Sequence, residues 1–225
     1  KARAQPTGLL TLYSLTLSIL IAIPAGVIAA VYRNSLIDRL LMVVSISGAA
    51  VPGFFFGILL ILLFAVILGW LPSGGYVDIQ DDPAQHFKRM ILPTVTLGFS
   101  AAGLLARLVR STMLDVLNQD YVRTANAKGL PGRYVIIRHA LRNAMIPAMT
   151  LIGISLAGML GGAVVIETVF TIPGMGRLLV QSVVRRDFPV VQAAVLTIAT
   201  VEVLVMLLID ILYVYVDPRI RYGAD

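Results

Sequence analysis

Cysteine is absent from the 225 residues, and histidine occurs only twice. No disulfide framework, Cys-based zinc site or thiol chemistry is open to such a chain. Charge is scarce as well. Asp, Glu, Lys and Arg make up 13% of residues, against roughly 25% in an ordinary soluble domain. So few charges cannot coat a water-soluble globule. The 58% share of hydrophobic residues argues equally against intrinsic disorder. A nucleotide-binding P-loop is also missing. Ala127-Lys128-Gly129 lacks the leading glycine of that motif and follows no predicted strand.

What is present is long apolar sequence, with a mean hydropathy of +0.90. A bilayer core takes roughly 20 apolar helical residues. Runs without Asp, Glu, Lys or Arg cover Ala4–Tyr32, Leu40–Val77, Met90–Ala106 and Asn143–Ile166. Phe188–Val216 is broken only by Glu202 and Asp210. The sequence predicts an all-α integral membrane protein with five spans, about 9–31, 42–70, 90–110, 144–166 and 191–216. Pro52-Gly53 interrupts the second run and Pro72-Ser73-Gly74-Gly75 ends it. The first run is too long for a signal-peptide core and has no small-residue cleavage site. The chain starts without Met, which reads as a fragment or a processed product. No repeat or linker divides it, so 1–225 reads as a single membrane domain.

Basic residues set the orientation. With five spans, 11 lie on one side and 7 on the other. The positive-inside rule places the richer side in the cytoplasm. The stretch 107–142 carries seven of the 18 basic residues and +5 of the net +6. The basic balance therefore concerns the membrane and this loop, and nucleic acid is no expected partner.

The loop itself is longer than a turn requires. Leu114, Leu117, Tyr121 and Ala125 recur at helical spacing and predict one shared face. Gly129 followed by Pro131 reads as a helix stop. A second short helix carries Arg138 and Arg142 at i, i+4 into the next span. Such a hairpin either rests on anionic headgroups or docks on a cytosolic partner and passes motion to its spans.

The segment Asp120-Tyr121-Val122-Arg123-Thr124-Ala125-Asn126-Ala127-Lys128-Gly129-Leu130 carries a family resemblance, continued in Arg138-His139-Ala140-Leu141-Arg142-Asn143-Ala144 and Pro147. It is similar to the cytoplasmic loop signature of permease subunits in bacterial binding-protein-dependent ABC importers. It is most like the B-type subunit of dipeptide and oligopeptide permeases. Arg123-Thr124-Ala125 holds the place of the superfamily's Glu-Ala-Ala, and Asn126 departs from the expected Arg. Further matches are Gly69-Trp70-Leu71-Pro72, Glu167-Thr168-Val169-Phe170, Pro173-Gly174-Met175-Gly176-Arg177, Arg186-Asp187-Phe188-Pro189, Asp210 and Asp217-Pro218-Arg219-Ile220-Arg221. The family pattern has six spans, one more than this chain, with an external region near the start.

The resemblance implies a type I permease fold in the bacterial cytoplasmic (inner) membrane. It implies a second, homologous permease in a heterodimer, two ATPase subunits and an external substrate-binding protein. ATP and Mg would sit on the ATPases, so this chain would bind no cofactor and be no enzyme itself. The loop 111–143 would couple the ATPases to the spans through Asp120, Tyr121, Arg123, Thr124, Ala125, Lys128, Gly129, Arg138, His139 and Arg142. The implied cargo is a peptide; the same architecture imports glutathione or nickel.

Other features carry several readings. Gly158 and Gly162 form a small-xxx-small pair, which either packs helices or lines the route. Glu202 sits mid-span, where a carboxyl costs roughly 2.5–3.5 kcal/mol, so it should face protein or water. It would line the pathway, stand protonated or bonded to a neighbouring hydroxyl or backbone group, or serve an ion-coupled secondary transporter as an alternative function. Asp210 reads as structural. The segment 167–190 is amphipathic, with Phe170, Ile172, Leu178, Leu179 and Val183 dipping into the interface. Pro173, Gly174 and Gly176 would fold it back, by resemblance as an outer gate. Asp78, Asp81, Asp82 and His86 read as a solvated loop with no metal. Neither histidine lies in a span, so an intramembrane hydrolase finds no site.

Overall fold

A computed structural model describes residues 3–216, without the side chains of Asp210 and 212–216. Asp210 as a side chain and the motif 217–221 therefore lie outside the described residues.

Every regular element among the described residues is helical. The first is α1, Ala4–Val31. Its small residues Ser14, Ser18, Ala22, Gly26 and Ala29 lie on one face at helical spacing and are buried. They meet α4, Pro83–Leu117. A Cβ on Gly98 of α4 would stand 2.8 Å from the Ser14 carbonyl oxygen, so the two backbones cross at a separation only glycine permits. Asp82 caps α4 by accepting from the Gln85 N–H at 3.0 Å, and Pro83 occupies the first turn. At 1.5 Å per residue, α4 is about 52 Å long. It outruns the membrane and carries its last turns into the loop.

The second predicted span divides in two. α2, Leu36–Ala50, and α3, Gly53–Leu60, meet at an angle of 107°. Val51 is extended because it precedes Pro52, and the helix cannot continue. The single span 42–70 is thus corrected to a bent pair, starting earlier than expected. α3 runs on as a π-helical stretch, Ile61–Ile67. Four helices are long and apolar enough to cross a membrane, or five if the bent pair counts as one.

α2 is anchored at its start. The Ser35 hydroxyl accepts from the Asp38 N–H at 3.2 Å. The Asp38 carboxylate then takes two bonds from Arg110 of α4, at 2.6 and 2.7 Å. This fork-to-carboxylate geometry is the strong form of the ion pair.

The remaining helices are α5, Asp120–Ala127, α6, Gly132–Tyr134, and α7, Arg142–Val169. A π-helical stretch, Val135–Leu141, joins α6 to α7. The expected second short helix is therefore the root of the next span, and α6 through α7 forms one 38-residue run. α8, Met175–Val184, and α9, Phe188–Val216, follow.

The end of the bundle opposite the 111–143 loop, the outer end by the charge rule, is closed by buried side chains. Phe170 and Ile172 are fully buried, packed with Leu10, Met90, Leu92 and Ile166. They were expected to dip into lipid, but they fill protein core, because the turn after α7 folds them beneath the chain. Gly75 donates its N–H to the Phe170 carbonyl at 2.8 Å, and Arg89 donates to the Gly74 carbonyl at 2.7 Å. Loop 68–82 is so tied to the turn. His86 is fully buried, not solvated. One ring nitrogen bonds the Val77 carbonyl at 2.7 Å, and Tyr13 lies 3.3 Å from the other. Burial also pushes the neighbouring Tyr76 phenol up from its ordinary pKa.

Candidate functional site

The loop folds into a hairpin with its own small core. α4 stops at Leu117, and Asn118 and Gln119 turn the chain before α5 begins. That break interrupts the continuous face expected from Leu114, Leu117, Tyr121 and Ala125. Val122, Ala125 and Val135 are the buried residues, packed against Val116 and Leu117. Tyr121 stays exposed.

The glycine turn forms as the sequence predicts. Gly129 has φ +74°. Its N–H bonds the Asn126 carbonyl at 2.9 Å, and the Leu130 N–H reaches the Ala125 carbonyl at 3.4 Å. This pair of bonds is a Schellman motif, which satisfies the last carbonyls of α5. Open space surrounds the Gly129 α-carbon. The glycine is needed for its backbone conformation and not for room.

One side chain staples the hairpin to the span. Asn143 donates to the Tyr121 phenol oxygen at 2.7 Å and to the His139 carbonyl at 3.2 Å. Arg138 stands 5.8 Å over the Tyr134 ring, and His139 meets that ring edge-on. Arg138 and Arg142 fall in and beside the π-helical stretch, so simple i, i+4 alignment does not hold. Asp120, Arg123, Thr124, Lys128, Arg138 and Arg142 are exposed. Arg123 approaches Asp120 only to 3.7 Å, and both are open to water. Arg110 is different, since Asp38 holds it inside the subunit.

Above the hairpin, an open cavity of about 470 Å³ lies between α3, α4 and α7. Its lining includes Phe54, Ser100, Leu104, Ser155, Gly158 and Gly162. A Cβ on Gly158 would meet nothing within 4 Å, so this glycine packs no helix among the described residues. Gly162 comes closer, with Leu97 at 3.2 Å from such a Cβ. Glu202 lines no part of this cavity. It is half-buried on α9, a helix with mostly exposed side chains, and has no hydrogen bond among the described residues.

Gly174 and Gly176 are buried at the outer end. A Cβ on Gly174 would collide with the Glu167 carboxyl, and one on Gly176 with the Val164 backbone. Close approach explains these glycines; the left-handed residue of the fold-back is Thr171, at φ +54°. Pro173 beside them is half-buried. Glu167 is the residue that sequence reasoning missed as a site. It is fully buried and accepts from the Thr7 hydroxyl at 2.5 Å and the Arg177 N–H at 2.9 Å. Thr7 in turn accepts from the Met175 N–H at 2.9 Å. The carboxylate thus sits at the N-terminus of α8, where the helix dipole favours it, and is bound to α1. A local signal existed: an acid ending an apolar span, followed by Pro-Gly-Met-Gly.

Among the described residues, no group of three or more His, Asp or Glu could hold a metal. The glutathione transport system permease protein GsiC of Escherichia coli strain K12 is 46% identical over 221 residues, covering 98% of this chain and 70% of GsiC. GsiC of Shigella flexneri serotype 5b is 45% identical over the same length. An inward-facing native crystal form of the MetNI methionine ABC transporter superposes with a TM-score of 0.77 at 19% identity, covering 95% of this chain and 94% of that one. A second inward-facing form gives 0.78 at 18% identity, covering 96% and 95%. These two show a shared fold. Residues 22–222 match the family described as the binding-protein-dependent transport system inner membrane component, and the chain belongs to that family of ABC importer permeases.

Proposed function

We propose that this permease passes peptides or the peptide-like solute glutathione inward, as one half of a paired membrane unit. The observation that carries the reading is 46% identity with glutathione permeases along 98% of the chain. Glutathione is itself a tripeptide, so the two cargoes share amide and carboxylate chemistry. The hairpin 111–143 docks on an ATPase subunit that holds ATP and Mg, and an external protein delivers the solute. A related permease faces this one. The hairpin's architecture supports docking: its inner face is packed and stapled, while Arg123, Lys128, Arg138 and Arg142 point to water. Membership of the importer family sets aside the ion-coupled alternative through Glu202.

The test is reconstitution with the neighbouring subunits in vesicles. Uptake of radiolabelled glutathione and of trialanine is measured with ATP and with a non-hydrolysable analogue. ATP-dependent uptake of either supports the reading. ATP-dependent uptake of neither, by a complex that hydrolyses ATP, overturns it.

A further inference from the structure

The groove has a second half. A cavity of about 440 Å³ is lined by Leu104, Arg107, Leu108, Ser111 and Leu151. It shares Leu104 and Leu151 with the cavity of Ser100 and Ser155. Together they form a groove along α4 toward the hairpin. Ser100, Leu104, Arg107 and Ser111 stand three and four residues apart, so they line one face of that helix. From Ser100 to Ser111 is about 16 Å at the helical rise.

The polar groups along this groove are unspent. Elsewhere on the spans many hydroxyls bond back into their own helix, while Ser14 and Thr94 make no bond among the described residues but are sealed from solvent. Thr11, Thr16, Ser45, Thr96, Thr197 and Thr200 each donate to the carbonyl four residues earlier. Ser100, Ser111 and Ser155 make no hydrogen bond among the described residues, and none is sealed from solvent. Arg107 is exposed and has no carboxylate within 4 Å among the described residues. One turn on, Arg110 is fully engaged by Asp38. An otherwise apolar groove therefore presents three hydroxyls and one guanidinium in a row that have no partner among the described residues. An acyl chain offers no acceptor to any of them, and leaving them unpaired against hydrocarbon is costly. A guanidinium is matched by a carboxylate in a bidentate pair.

We propose that the occupant of this groove is a carboxylate-bearing solute. Ser100, Ser111 and Ser155 hydrogen-bond its amide groups, and Arg107 attracts its carboxylate toward the hairpin end. This rests on the transport reading and deepens it by assigning a specificity-determining residue.

None of the 225 residues is a cysteine, so each thiol introduced here is the single one among them. Ser100→Cys, Ser111→Cys and Ser155→Cys are made in the assembled transporter, with the parent complex as the labelling background. Each is reacted with a negatively and a positively charged water-soluble methanethiosulfonate. All three thiols should react. At Ser111→Cys, the anionic-to-cationic rate ratio should fall about tenfold when Arg107→Gln is added, through loss of the local positive field. Arg107→Lys should keep the ratio. Uptake of the imported tripeptide should slow in Arg107→Gln and recover in part in Arg107→Lys, which restores the charge but not the bidentate fork.

A rate ratio indifferent to Arg107 overturns the proposal. So does uptake by Arg107→Gln as fast as the parent's. Thiols reached only by a lipid-soluble maleimide identify acyl chains or headgroups as the occupant, and thiols reached by no reagent identify a partner helix; either result overturns it. The labelling requires no transport. A charge-selective groove in a parent complex that imports neither tripeptide would sink the substrate reading alone.

Discussion

The two ends of the helix bundle are built on opposite plans. At the outer end, the turn after α7 is bound to parts of the chain far away in sequence. Glu167 bonds Thr7, 160 residues earlier, and Gly75 bonds Phe170. Phe170 and Ile172 lie fully buried beneath. At the hairpin end, the ties are local. A core of Val122, Ala125 and Val135 and the Tyr121–Asn143 bond hold α5 to the root of α7. Most polar side chains there point to water. The outer end ties most of its polar groups to itself, whereas the hairpin leaves most of its own exposed. That difference is what a docking element requires: stiffness inside, free valences outside. The orphan hydroxyls and Arg107 in the groove between belong with the second plan.

The largest effect should come from breaking the outer end. Glu167→Ala removes the acceptor shared by the Thr7 hydroxyl and the Arg177 N–H. Stranding buried donors should cost about 3 kcal/mol. Thermal unfolding of the detergent-purified complex, followed by size-exclusion chromatography, should show a clear drop in midpoint. A midpoint equal to the parent's would mean that the outer end is not locked by this carboxyl, and the contrast between the ends would fail.

At the hairpin end, Gly129→Val should cost less in stability and more in function. A Cβ at this position would meet nothing within 4 Å. The cost is the left-handed backbone, about 1–2 kcal/mol for an L-residue. The hairpin would relieve that strain by re-aiming α5. The solute moved per ATP hydrolysed should fall, while Gly129→Asn, which tolerates this conformation, should keep most of it. Normal stoichiometry in the valine variant would show that the angle of the turn does not matter to coupling.

How far the sequence revealed these features depended on whether their cause was local. Apolar runs identified α1, α7 and α9, since hydropathy is a property of consecutive residues. The Schellman turn at Gly129 was readable because glycine and its neighbours create it by themselves. Pro52 was visible as an interruption, but the 107° bend was not, because its size depends on what α2 and α3 pack against. Phe170 and Ile172 were read as interfacial. An apolar side chain beside a membrane carries the same signal whether lipid or protein covers it. Glu167, His86 and Arg110 escaped for a further reason. Their partners Thr7, Tyr13 and Asp38 lie more than 70 residues away, beyond any periodicity. Gly158 carried two readings by its spacing, helix packing or lining the route, and spacing alone could not choose between them; the glycine faces the open cavity.

The smallest effect should sharpen the comparison most. Tyr121→Phe keeps the ring and removes only the oxygen that accepts from Asn143. Tyr121 is exposed, so water replaces the lost bond, and stability should change by about 0.5 kcal/mol. The unfolding midpoint should barely move. If the staple serves only to hold α5 on the span, nothing else should change either. If motion passes through it from a docked partner to α7, transport per ATP should drop about twofold with the fold intact, the scale of a coupling free energy under 1 kcal/mol. Asn143→Ala removes the same bond together with the one to the His139 carbonyl and should lose at least as much. Combining the two should add nothing to the loss in Asn143→Ala, because residues sharing one interaction are not additive. Separate, additive losses would instead mean that each residue meets the partner directly, and that the hairpin is not a stiff body but a set of independent contacts.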